Sequence, residues 1–97
     1  MAVLEIVRFR TKAGSDDNEM VAVNERFQRE VAPKLPGLER REATRTADGE
    51  WVLVLRYRDA ESADRAMGSD TSEISGRLMT MIDMSTLSLS RSEVVSE

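Results

Sequence analysis

Ninety-seven residues with a formal charge of −4 make one expected domain, residues 1–97, with too little clustered basic charge for nucleic acid or anionic membranes. There is no cysteine and no histidine. Disulfides, thiolate nucleophiles, Cys-bound zinc and the commonest general base and metal ligand are excluded, leaving carboxylates, Tyr, Lys, Arg, hydroxyls and backbone for any chemistry.

The first element is a β-branched strand, Val3 to Arg10. One face carries Val3, Glu5, Val7 and Phe9, the other Leu4, Ile6, Arg8 and Arg10. Glu5 and Arg8 interrupt the apolar run, so it reads as a strand and not a leader; the expected location is the cytoplasm. Lys12 to Asp17 forms a turn around Gly14, and Ser15, Asp16 or Asp17 can cap a helix, with Glu19 three residues beyond Asp16. Met20, Val23, Phe27 and Val31 then recur at helical spacing. Pro33 and Pro36-Gly37 stop that helix.

Leu38 to Thr46 (LERREATRT) is a polar strand expected at a sheet edge. The basic stretch Lys34 to Arg45 has Glu39 and Glu42 interleaved and reads as solvated. Asp48-Gly49 signals a two-residue type I′ hairpin. Strand three, Glu50 to Arg58, follows. Asp59 caps a second helix with Ala63, Ala66 and Met67 on one side. Gly68-Ser69-Asp70 interrupts it, Asp70 and Glu73 form a second capping pair, and Ile74, Leu78, Met81 and Ile82 resume the stripe. Met84 to Arg91 is the last strand, and the tail from Ser92 is expected to fray. No run is long and apolar enough for a membrane helix.

The order β-α-β-β-α-β predicts an α+β, ferredoxin-like fold: a four-stranded antiparallel sheet with two helices on one face. Trp51, Leu53, Leu55 and Tyr57 share the helix-facing side of strand three. Val52 and Val54, with Leu4 and Ile6 beside them, then lie on the open face, and an exposed apolar patch of this kind marks an interaction surface. The strand and the following DAESADRA resemble an RNA recognition motif. That family stacks bases on strand-three aromatics, where this chain has Val52 and Val54, and Glu50 stands where a basic residue is expected. The expected partner is a second copy packed face to face through Val52, Val54, Leu4 and Ile6.

VRFRTKAGS at strand one, ERF in helix one, PGL after it and RYRDAESADRAMGSD across strand three and helix two resemble the antibiotic-biosynthesis-monooxygenase-like family of dimeric α/β barrels. The resemblance implies a homodimer and, in each subunit, a cleft between sheet and helices that takes quinols, aromatic polyketides or haem. Many members oxidise their substrate with oxygen and no metal or flavin. The Asn, Trp and His of the haem-degrading branch fall on Val7, Ala66 and Gly76, which makes haem degradation an unexpected activity here. The Asn, Trp, Tyr and Arg of the polyketide-oxidising members find only residue-type equivalents in Asn24, Trp51, Tyr57 and Arg56.

Within such a cleft, Trp51, Tyr57, Phe27 and Met67 are the expected ligand-binding residues, with Met79, Met81 and Met84 as further adaptable apolar lining or core filling. Trp51 either stacks on a ligand or packs with its N–H satisfied. Glu5, if desolvated, is a candidate general base; the alternative is an ion pair with a strand arginine. Tyr57 and Asn24 are the other catalytic candidates, as hydrogen-bonding groups toward a phenol, carbonyl or dioxygen. No metal and no cofactor is expected. Three functions stay open: a binding protein for a small aromatic or polyketide-like molecule, a cofactor-independent monooxygenase, and a structural dimerisation module.

Overall fold

The computed structural model describes residues 1–69 and 72–97, with the side chains of 67–69 left aside. Strand β1 (Val3–Thr11) is followed by helix α1 (Asp17–Arg26), β2 (Leu38–Arg45), β3 (Trp51–Tyr57), α2 (Ala60–Ser69), α3 (Glu73–Met81) and β4 (Ile82–Glu93). The sheet order is β2-β3-β1-β4, antiparallel throughout. This is the expected ferredoxin-like arrangement, with the second helix split into α2 and α3.

Side-chain alternation divides the sheet cleanly. Val3, Glu5, Phe9, Trp51, Leu53 and Tyr57 are buried on the helix side. Ile6 lies opposite Val54, Arg8 opposite Val52 and Leu4 opposite Arg56 on the other side, which no helix covers. β1 pairs with β3 in an unbroken register, and its shift against β4 falls between Arg8 and Arg10, beyond Glu5, so Glu5 points inward.

Two core clusters form under the helices. Phe9, Met20, Val23, Trp51, Leu53, Leu78, Met81 and Ile82 join the sheet to α1 and α3 at one end. Val3, Tyr57, Ala63 and Ala66 join it to α2 at the other. Asp16 caps α1 by accepting from the Asn18 N–H at 2.8 Å, and Asp59 caps α2 by accepting from the Ser62 N–H at 2.8 Å. The cap of α3 is Ser72, whose hydroxyl accepts from the Ser75 N–H. Asp70, the expected cap, lies outside the described residues.

Three expectations need correction. The β2–β3 hairpin is not a type I′ turn: among the described residues only glycines have positive φ, so Asp48 does not adopt it. Instead the Thr46 N–H donates to the Glu50 carbonyl, and three residues, Ala47 to Gly49, form the loop with Gly49 at φ +92°. Helix one does not run regularly to its prolines. It widens into a π turn over Phe27–Val31, where the Ala32 N–H donates to the Phe27 carbonyl, and then tightens into a 3₁₀ turn over Ala32–Lys34. The tail is not frayed at Ser92: β4 pairs to Glu93, and the Val94 N–H donates to the Ala2 carbonyl at 2.9 Å.

Candidate functional site

Between the two core clusters the helices stand off the sheet and leave a cleft of about 410 Å³. That lies within the range of about 300–1,000 Å³ common to small-molecule sites. Val7, Phe9, Leu53 and Leu55 of the sheet form its floor with Glu5 and Tyr57; Phe27, Ala66 and Leu78 close it from the helix side. Leu87, Leu89 and Met79 also line it and are exposed, so they mark its open side, at the β4 edge.

Arg41, Glu5 and Arg91 fall in one row across the sheet. Arg41 on β2 pairs with Leu55 on β3, Leu55 with Glu5 on β1, and Glu5 with Arg91 on β4. Glu5 is 2% exposed. The Arg91 Nε and Nη2 donate to its Oε2 at 2.9 and 2.8 Å, and Arg91 Nη1 also reaches Asp64 at 2.8 Å. The strand-arginine pair foreseen for Glu5 therefore exists. Its Oε1 has no hydrogen-bond donor among the described residues.

Tyr57 is buried at the α2 end of the floor. Burial pushes its phenol above the usual range and the Glu5 carboxylate adds to this, against Arg41 and Arg91. A neutral phenol at ordinary pH is a hydrogen-bond donor and a poor base. No described residue takes its proton.

Arg41 corrects the sequence reading most. It sits in the stretch read as solvated, yet it is 7% exposed and lines the cleft. Nη1 donates to the Gln28 side-chain oxygen and Nη2 to that of Asn24, both at 2.8 Å, and the guanidinium lies 4.6 Å over the Phe27 ring. Gln28 closes the link by donating to the Arg41 carbonyl at 3.1 Å. The π turn carries Phe27 and Gln28, so the irregular segment of helix one supplies the platform. Burial pushes the guanidinium down to about 10, opposed by Tyr57, and it stays charged at neutral pH.

Of the expected site residues, Glu5, Tyr57 and Phe27 line the cleft. Asn24 does not; its side chain holds Arg41. Trp51 is buried one layer away, parallel to Phe9 with ring centroids 6.2 Å apart, and its indole N–H has no acceptor among the described residues. The satisfied N–H foreseen for a packed tryptophan is thus missing. Met67 lies outside the described side chains. Arg56 is on the open face, bound to Glu39 and Glu97, so it is not a cleft residue. Val7 and Ala66, at two of the haem-branch positions, line the cleft with aliphatic side chains, and Gly76 is exposed on α3. Arg41 was legible in principle: pairing β2 to β3 through the hairpin puts it on the same face as Ala43 and Leu55.

Among the described residues, no helix is long and apolar enough to cross a membrane, and no group of three acidic residues is placed to hold a metal ion.

No family model and no curated protein matches the chain. Solved structures do. SnoaB, a cofactor-independent oxygenase from Streptomyces nogalater, superposes with a TM-score of 0.79 at 17% identity, over 99% of this chain and 95% of SnoaB. Rv0793 from Mycobacterium tuberculosis gives 0.74 at 18% identity, over 100% of this chain and 98% of its own. A candidate antibiotic biosynthesis monooxygenase from Caulobacter crescentus gives 0.80 at 12% identity, over 98% and 91%. At these identities the likeness is one of fold: this chain has the ferredoxin-like fold of the antibiotic-biosynthesis-monooxygenase-like proteins.

Proposed function

We propose that the chain binds a small, largely apolar, aromatic molecule in the cleft between its sheet and its helices, and that it does so as a homodimer joined through the open sheet face. The observation that carries the reading is the cleft itself: apolar walls from sheet and helices around a few convergent polar groups on rigid strands. A core packed for stability alone leaves no void of this size between its two clusters.

The polar groups favour holding a ligand over transforming it. Tyr57 is kept protonated, and Glu5 is tied to Arg91 through two N–H groups. Titration with 2-naphthol, followed by the emission of Trp51, tests the reading, because Trp51 contacts the cleft wall through Phe9. One saturable site per chain is expected. Ala66→Phe fills the cleft from α2 and should abolish the site while circular dichroism stays native. Binding that survives Ala66→Phe, or no binding to the parent protein, would remove the reading.

One observation favours a second reading, cofactor-independent oxygenation of an electron-rich phenol or quinol. Glu5 Oε1 has no donor among the described residues and belongs to a cleft-lining side chain, so it is a position from which a carboxylate can accept a substrate proton. SnoaB, of the same fold, is a cofactor-independent oxygenase. Oxygen uptake with a quinol, lost by at least about 100-fold in Glu5→Gln, is the expected result; no uptake leaves binding as the function.

A further inference from the structure

We propose that the ligand is an organic anion, an apolar body ending in a carboxylate, and that Arg41 receives the charged end. This rests on the cleft being a ligand site.

Arg41 is a buried cation without a buried anion. Lysines and arginines are almost never this inaccessible unless paired, because desolvating a charge costs far more than neutral hydrogen bonds return. Its two side-chain partners, Asn24 and Gln28, are neutral amides. They occupy two of the five N–H groups a guanidinium offers, and the others have no acceptor among the described residues. The acidic residues of its own strand serve elsewhere: Glu39 pairs with Arg56 and Glu42 with Arg40. Glu5, in the same cross-strand row, is two strand spacings away, about 10 Å, and already carries Arg91.

A tie between β2 and helix one would explain the two amide bonds but not the charge. Asn24, Gln28 and Phe27 hold the guanidinium plane in place, so a carboxylate arriving there meets donors that need no ordering. The neutral Tyr57 phenol, on the adjacent strand of the floor, offers a further donor from the same side. At the other end of the row Glu5 and Asp64 share a single arginine, which leaves that end net negative. A carboxylate ligand is thereby drawn to the Arg41 end and repelled from the Glu5 end, with its rings along Val7, Leu53 and Leu55 toward the open side at Leu89.

The test compares 2-naphthoate with its neutral isostere 2-naphthamide by isothermal titration of the full chain. The parent protein should bind the carboxylate at least tenfold more tightly. Arg41→Gln should bring the two to equal affinity with the amide unchanged, and the amide reports that the cleft is still formed. Arg41→Lys keeps a charge and should keep part of the preference. Arg40→Gln, on the open face, should leave the ratio as it is. Equal binding of the two probes by the parent, or a preference that persists in Arg41→Gln, overturns the assignment of the anion while leaving the cleft reading intact. Binding of neither probe overturns both.

Discussion

Trp51 shows how a single residue can be buried for its area and penalised for its polarity. Its rings fill the space beside Phe9, but the indole N–H meets no acceptor among the described residues. An unsatisfied buried donor costs about 1–3 kcal/mol. Trp51→Phe removes that cost and loses one ring of packing, so we expect urea denaturation to place it within about 1 kcal/mol of the parent. Trp51→Ala, which loses both rings, should cost about 3–5 kcal/mol. Gly37 is constrained differently. It has φ +79°, and a Cβ there would clash with the Cβ and Oγ of the buried Ser62. Gly37→Ala should destabilise by about 2 kcal/mol or more, and Ser62→Gly in the same chain should recover the part due to the clash, leaving about 1–2 kcal/mol of backbone strain. Sequence alternation placed Glu5, Trp51 and Tyr57 on the correct face because each lies in a strongly apolar strand. Arg41 escaped because β2 is polar by composition, and only its pairing with β3 reveals which of its charges face inward.

At the scale of elements, Asp16 and Asp59 announced the starts of α1 and α2, and Pro33 the end of helix one, since those signals are local. The irregular pieces were not announced. The Met20, Val23, Phe27 and Val31 spacing fits a regular helix as well as one with a π turn, and the π turn is where Phe27 and Gln28 meet Arg41. The hairpin was misread for a related reason: Asp-Gly suits a two-residue loop, but Thr46 and Asp48 make a better three-residue one. The Thr46 hydroxyl donates to Asp48, and Arg10 of β1 reaches the same carboxyl at 2.8 Å. These bonds, the Thr46 one foremost, hold Asp48 down to about 2, against an ordinary 3.8. A carboxyl lowered in the folded state contributes stability that is present above pH 3.8 and is lost as pH falls toward 2. Urea midpoints measured from pH 5 to pH 2 should therefore fall less steeply for Asp48→Asn than for the parent. Because the hairpin is exposed and screened, the difference should be small and should shrink in high salt.

For the molecule as a whole, one sheet is asked to do two jobs. Its helix side makes the cores and the cleft; its other side presents Leu4, Ile6, Val52 and Val54, half-buried and rimmed by the Arg8–Glu50 and Arg56–Glu39 ion pairs. An apolar centre with a charged rim is the anatomy of a protein interface. At ~25 cal/mol per Å², covering a few hundred Å² on each subunit contributes several kcal/mol. Sedimentation at micromolar concentration should show a dimer, and Val54→Lys should shift it to monomer without loss of helix signal. The double use of β1 and β3 also allows the cleft to be tested in one experiment. Methyl NMR of the isoleucine, leucine and valine residues, recorded during titration with 2-naphthol, reports on both faces of the same strands. Saturable shifts at Val7, Leu53, Leu55, Leu78 and Leu89, with Leu4, Ile6, Val52 and Val54 unmoved, are the predicted result. Shifts confined to the open face, or none at saturating ligand, would contradict the assignment of the cleft as the binding site.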